Sequence, residues 1–269
     1  GHKVILAGPI DPRGADVVPW SPPAVLPQYA QAPDILLPAV DNWPLEEVLR
    51  MSPEKIDLIV QAGDTFWLRG DAPESVPNVV VSTDPHAVDV HQRLEHADLF
   101  ICMQEHYLKT HYADVTIPKT WIPYGYEPTI HRYIEKHPIE YDVAFIGLPY
   151  PQRVETLDLM QSRSLKVLNK LGIVFHESNE LYNRSKIAFN WSSQLDVPAR
   201  VFEGMAQKRL MLTNRLPDFN PLGFVEGTHY VGFTSKEEAV EQAIAYLGRD
   251  ADREKIAQAG YEAVREMTW

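Results

Sequence analysis

LYNRSKIAFNWSSQLDVPARVFEGMAQKRLMLTNRL, residues 181–216, decides the fold, because it reads as a helix, a buried strand, a polar loop, a second helix and a second buried strand. Short apolar runs joined by a helical stretch form parallel βαβ units, in which strands are covered on both faces. In such a unit the loop after the first strand and the opening turn of the next helix face a ligand crevice. Pro198 and Ala199 open that helix, with Arg200 and Glu203 in its first turns. Free N–H groups and a partial positive charge at a helix start favour an anionic diphosphate, and Arg200 adds a fork of donors. Glu203, one turn further on, is placed to accept hydrogen bonds from sugar or ribose hydroxyls.

Working outward, short apolar runs at residues 4–7, 35–37, 58–60, 79–81, 99–102 and 120–122 read as buried strands, with helices expected at 45–51, 87–96 and 105–112. The second half repeats the alternation, with strands at 143–146, 173–175, 187–190, 210–213 and 230–232 and helices at 153–171, 181–185, 199–207, 236–247 and 252–266. Residues 9–33 are proline-rich and predict an ordered loop or flap rather than a helix. Residues 124–138, rich in Pro, Gly, Tyr and His, predict a hinge. The expected fold class is α/β, with two Rossmann-like domains facing a cleft: residues 1–123, a linker at 124–138, and residues 139–269.

The 269 residues include 25 basic and 37 acidic side chains, a formal charge of −12, and 45% are hydrophobic. A nucleic-acid backbone is therefore not the expected partner, since its phosphates need a basic patch. No apolar run reaches the roughly 20 residues that a membrane-spanning helix needs, and no signal-peptide layout opens the chain. Cys102 stands alone in an apolar run and predicts a core thiol, which suits a reducing cytoplasm. Gly1 and His2 read as a tag remnant, and the stop at Trp269 just after a helical segment leads us to expect a longer natural protein.

The tyrosine, basic residue and strand ending in Asn190, then Pro198-Ala199-Arg200-Val201-Phe202-Glu203 and a strand ending Leu212-Thr213, resemble the donor-binding half of GT-B glycosyltransferases. With YDVAFIGLPYPQR (141–153), TWIPYGYEPTIHR (120–132) and STDPHAVD (82–89), the pattern is more narrowly similar to the CgeB-like (spore maturation protein) group and covers the chain from about residue 59. The resemblance implies a nucleotide diphosphate sugar as donor, an acceptor that is a glycan, protein or small molecule, and donor phosphates meeting the loop after strand 143–146. Gly147, Tyr150 and Arg153 are the donor-site candidates there. Of the two glutamates in the family signature, Glu203 matches the second, and Leu195 stands where the first would be. That departure leaves the sugar and a retaining stereochemistry open.

Tyr182 and Asn190 are expected to pack on or bond to the nucleotide or to serve the core, and Lys186 to reach a phosphate or interact with a helix end. Asp196 either replaces the carboxylate missing at Leu195 or serves as an N-cap. Lys208 occupies a helix end where glycine is usual, so either the helix runs on or Lys208 takes an unusual backbone angle. In the first half, Asp84 and His86 follow strand 79–81; histidine can act as a base or hold a forming charge, and the resemblance implies a place opposite the donor. Asp84, His86, Asp89 and His91 could ligate a metal, but their spacing matches no tight zinc signature, so neither metal nor cofactor is expected. Tyr124, Gly125 and Tyr126 are hinge and cleft candidates, and Gly63, Asp64 and Thr65 are acceptor-side candidates. The function expected is metal-independent glycosyl transfer. The alternatives are a non-catalytic sugar-nucleotide-binding accessory subunit and a nucleotide-sugar epimerase.

Overall fold

Most of the apolar runs bounded by Gly, Pro and Asp become parallel strands. The computed structural model describes residues 5–8, 35–38, 43–62 and 68–269. Two units, Gly1–Pro123 and Tyr124–Trp269, separate by their internal contacts. The loop expected at 9–33, Gly1, His2, Gly63, Asp64 and Thr65 lie outside the described residues.

In the first unit β1 (Ile5–Gly8) pairs with β2 (Ile35–Pro38), and β3 (Trp43–Pro44), which leads into α1 (Leu45–Met51), pairs with β5 (Leu68–Arg69). A four-stranded parallel sheet is ordered β4 (Ile59–Ala62), β6 (Asn78–Ser82), β7 (Leu99–Cys102), β8 (Lys119–Trp121), with α2 (His91–Leu94) and α3 (Glu105–Thr110) between its strands. Val80, Phe100, Cys102 and Tyr112 form its core, so Cys102 is the buried thiol expected. The helix expected at 87–96 shrinks to α2. The chain first makes a turn, in which the Asp84 carbonyl accepts from the N–H groups of Ala87 and Val88.

The second unit holds β9 (Tyr141–Ile146), α4 (Pro151–Ser162), β10 (Val167–Lys170), α5 (Phe175–Asn183), β11 (Ser185–Asn190), α6 (Ala199–Ala206), β12 (Leu210–Asn214), β13 (Val231–Phe233), α7 (Lys236–Leu247) and α8 (Asp250–Val264). Its parallel sheet is ordered β10-β9-β11-β12-β13. Side chains alternate between the faces, as a strand requires. Val143, Phe145, Ile187, Phe189, Leu210 and Leu212 pack with α4 and α7 on one side. Ala144, Ile146, Ala188 and Met211 pack with Tyr182 of α5 and with Val201, Phe202 and Met205 of α6 on the other. Gly204 lets α6 lie close to the sheet, since a Cβ there would sit 2.5 Å from Met211 Cε.

Two expectations fail together. The helix expected at 153–171 stops at Ser162, because Ser164 turns left-handed (φ 67°), and residues 167–170 become β10. The strand expected at 173–175 is instead the approach to α5, which begins eight positions after the start of β10 and takes in residues 181–183 of the short helix expected at 181–185, while Ser185 already belongs to β11. The second option for Lys208 holds: its φ is 55°, and α6 ends before it. Among the described residues no helix is long and apolar enough to cross a membrane.

Candidate functional site

The order β10-β9-β11-β12-β13 contains a switch point. From β9 the chain leaves to α4 on one face, and from β11 to α6 on the other, so the loops after these neighbouring strands part and open a crevice at their carboxyl ends. The segments quoted from 141–153 and 181–216 both arrive there.

Arg200 spans the crevice floor. Its Nε donates to the Ile146 carbonyl at 2.9 Å and its Nη1 to Asn190 Oδ1 at 2.8 Å, while the guanidinium lies 4.8 Å from the centre of the Phe145 ring. Asn190 is fully buried, and its Nδ2 donates to Thr213 Oγ1. A Cβ on Gly147 would collide with Arg200 Nη2, so only glycine leaves room for this arginine. Tyr182 is enclosed beneath; its hydroxyl accepts from the Ile146 N–H at 3.2 Å, and burial pushes its pKa up to about 12. Tyr182 and Asn190 thus hold the arginine and the tip of β9, the core role that stood as the alternative to contact with a nucleotide.

Arg153 comes from the first turn of α4, where Tyr150 is the N-cap and Pro151 opens the helix. Its Nε donates to the Trp191 carbonyl at 2.7 Å and its Nη1 to the Leu148 carbonyl at 3.1 Å, and Tyr150 presents its ring 4.7 Å from the guanidinium carbon. Burial, then repulsion from Arg200, lowers its pKa to about 10, so it remains a cation at neutral pH. Among the described residues, no carboxylate lies within ion-pair distance of Arg153 or Arg200. Two partly desolvated guanidinium groups without a counterion are costly, and an anion between them relieves both the burial and the repulsion.

The start of α6 adds to the same field. Pro198 is its N-cap, Ala199 its first helical residue, and no side chain caps it, so the expectation that Asp196 is an N-cap is wrong. Asp196 is close enough for its charge to favour the protonated Arg153 instead. Leu195 is exposed and left-handed (φ 62°) in this loop. Asn214, at the end of β12, clamps the loop by accepting from the Ser192 N–H and donating to the Ser192 carbonyl.

One turn along α6, Glu203 Oε1 lies 3.5 Å from His131 Nε2. His131 is buried, and its Nδ1 faces the Glu127 N–H at 3.4 Å, so the ring proton belongs on Nε2, toward the carboxylate. Sequence reasoning missed His131 although it quoted the segment containing it. The signal was a histidine in a proline-led turn, Glu127 to His131, where Ile130 and His131 both bond back to the Glu127 carbonyl.

Lys186 does not join this site. It stands at the amino end of β11, where it pairs with Asp142 at 3.5 Å, roughly 13 Å of strand away from Asn190. Tyr124, Gly125 and Tyr126 are anchored within the second unit. Tyr126 bridges to Thr268, and a Cβ on Gly125 would meet the Met267 carbonyl at 2.8 Å.

In the first unit, His86 is half-buried after β6 with its Nδ1 shielded from solvent and unbonded, an orphan that costs about 1–3 kcal/mol until a partner arrives. Asp84, exposed, opens the turn before it. Asp89 and His91 gather with His111 rather than with Asp84 and His86. Asp89 Oδ1 is 2.5 Å from His91 Nδ1 and 3.7 Å from His111 Nε2, and His91 Nε2 is 3.3 Å from Asp114. The hydrogen bond to Asp89 raises the His91 pKa, as expected for a surface ion-pair cluster.

Residues 130–269, just over half of the chain, match the family described as glycosyl transferase-like. No curated protein sequence matches. Among solved structures, HepE of Anabaena in complex with UDP and glucose is 11% identical, with a TM-score of 0.62 over 87% of this chain and 83% of that one. Sucrose-phosphate synthase of Thermosynechococcus elongatus is 14% identical, with a TM-score of 0.51 over 72% of this chain. The pneumococcal O-GlcNAc transferase GtfA, in complex with UDP and GlcNAc, is 9% identical, with a TM-score of 0.51 over 72% of this chain. The chain spans 65% of that synthase and 50% of GtfA. At these identities the likeness is one of fold: an α/β chain with parallel sheets, as in GT-B glycosyltransferases.

Proposed function

This chain belongs to the glycosyl transferase-like family, and we propose that the crevice between β9 and β11 binds the diphosphate of a nucleotide sugar and stabilises it as the leaving group. The observation that carries the reading is the pair Arg153 and Arg200, fixed side by side at a switch point with no carboxylate partner and beside an uncapped helix start. When the bond from the anomeric carbon to the phosphate oxygen breaks, the diphosphate keeps the electron pair, and both guanidinium groups already face that charge. Glu203, oriented by His131, accepts hydrogen bonds from the sugar or ribose hydroxyls. An acceptor hydroxyl forms the new bond and gives up its proton, for which the His86 imidazole, with Asp84, is the proposed recipient.

The finer reading is a CgeB-like, metal-independent hexosyltransferase that retains anomeric configuration. It is proposed to work in the cytoplasm on an acceptor that is a glycan, protein or small molecule. The uridine nucleotides held by HepE and GtfA make UDP-sugars the first donors to try. Leu195, exposed where the first glutamate of the family signature would stand, favours one other reading, a sugar-nucleotide-binding accessory subunit. A thermal-shift panel of UDP, GDP, dTDP and their sugars tests binding, because a ligand that binds only the folded state at 100 times its Kd adds about 2.7 kcal/mol. Acceptor-dependent release of nucleoside diphosphate then supports the transferase, whereas saturable binding without release supports the accessory subunit. No shift with any nucleotide contradicts both.

A further inference from the structure

At the opposite end of the same sheet, a cavity of about 450 Å³ is lined by Lys136, Lys186, Lys208, Arg209 and Arg253, with Glu254 as its one acidic residue. In a chain of net charge −12 such a concentration of cations asks for a ligand. Arg209 and Arg253 are 9% and 8% exposed, so both guanidinium groups are held out of solvent. Arg209 donates from Nε to the Gln207 carbonyl at 3.0 Å and from Nη1 to the Ser185 carbonyl at 2.9 Å, and it packs 5.3 Å from the centre of the Tyr133 ring. Burial lowers its pKa, and the neighbouring Arg253 adds repulsion.

Two of the five cations are answered by the protein, Lys186 by Asp142 and Arg253 by Asp250. Among the described residues no carboxylate lies within ion-pair distance of Lys136, Lys208 or Arg209. The amino group of Lys208 is held over the rings of Tyr133 and Tyr261 at 5.3 and 4.7 Å. Both lysines carry left-handed backbone, φ 61° at Lys136 and 55° at Lys208. That conformation is unfavourable for a side-chain-bearing residue, and glycine would avoid it. Helix-end dipole compensation explains a cation near the end of α6, but it does not explain five around one cavity.

We propose that this cavity is a second ligand site, specific for a phosphate ester or pyrophosphate. Lys136, Lys208 and Arg209 would bind the phosphoryl oxygens, and Tyr133, Ile134 and Ile139 would contact whatever the phosphate carries. The volume suits a small phosphorylated molecule or a single lipid headgroup. The site is independent of the diphosphate site proposed for the crevice, which lies at the carboxyl ends of the strands.

The test uses the whole chain carrying Arg200→Ala, so that crevice binding does not contribute, and titrates inorganic pyrophosphate by calorimetry. Saturable binding is expected, at least about tenfold weaker when Lys136→Gln and Lys208→Gln are added; both side chains reach the surface, so the fold tolerates them. Arg209→Gln is read alongside only if circular dichroism shows it folded. Sedimentation with phosphatidylcholine vesicles, with and without phosphatidylglycerol, separates the sources. Lysine-dependent binding to the anionic vesicles that pyrophosphate competes away assigns a lipid headgroup, and pyrophosphate binding without vesicle binding assigns a free phosphate compound. No lysine-dependent binding to either probe, or equal affinity with and without the two lysines, overturns the proposal.

Discussion

The two ends of the second unit's sheet both gather buried or half-buried arginines, but the backbone treats them differently. At the carboxyl ends, Arg153 and Arg200 meet the positive end of α6, so helix and side chains add charge of one sign. At the amino ends, Lys208 and Arg209 follow the carboxyl end of α6, whose dipole offsets part of their charge, and Asp142 and Asp250 offset more. The first end therefore depends more strongly on a bound anion. Arg215 supplies a control at that same edge. It follows β12, yet it is paired with Glu226 and Glu238, and nothing about it calls for a ligand.

Breaking the stronger end has the largest expected effect. Arg200→Ala removes charge-assisted hydrogen bonds worth roughly 2–3 kcal/mol, so nucleoside diphosphate affinity measured by calorimetry falls about 100-fold. Lys208→Gln leaves the affinity at the crevice unchanged, and equal losses there from the two variants would erase the distinction between the ends. Gly147→Ala comes next. The new methyl displaces the Arg200 guanidinium and comes within 3.2 Å of the core Phe145 ring at a φ of 157°, so about a tenfold loss of affinity is expected together with a lowered melting temperature.

Glu203→Gln should lower turnover while nucleoside diphosphate affinity stays within about twofold, because its carboxylate faces His131 and not the arginines. A loss confined to diphosphate binding would move Glu203 out of the sugar role. The smallest effect belongs to the control pair. Hydrogen bonds from Arg215, then Thr234, hold the Glu238 carboxyl at about 2, below its ordinary 4.5. Its contribution to stability is therefore complete above about pH 4.5 and is lost as pH falls toward 2. Melting curves of wild type and Glu238→Gln should converge over that range.

The stretch from β11 to β12 was legible because its helix and strands carry their periods openly, and α7 was read to its exact ends for the same reason. Strand β10 was hidden because Val167 and Leu168 continue the apolar spacing of α4, and the break comes from left-handed Ser164, which no glycine marks. Within the site, Gly147, Arg153 and Arg200 could be nominated from motif position. What Tyr182 and Asn190 do could not, since a buried polar side chain that positions an arginine has the same sequence signature as one that binds a ligand. Lys186 misled because closeness along the chain to a site strand does not say which end of that strand a residue occupies. His131 depends on a contact with Glu203, 72 positions further along the chain, and no local pattern reports it.

The most direct measurement is a diffraction experiment on crystals grown with a nucleoside diphosphate. The account predicts density for the diphosphate within hydrogen-bonding distance of the Arg153 and Arg200 guanidinium groups and of the first backbone N–H groups of α6. A diphosphate bound elsewhere, with both arginines still bonded only to protein carbonyls and Asn190, would contradict it.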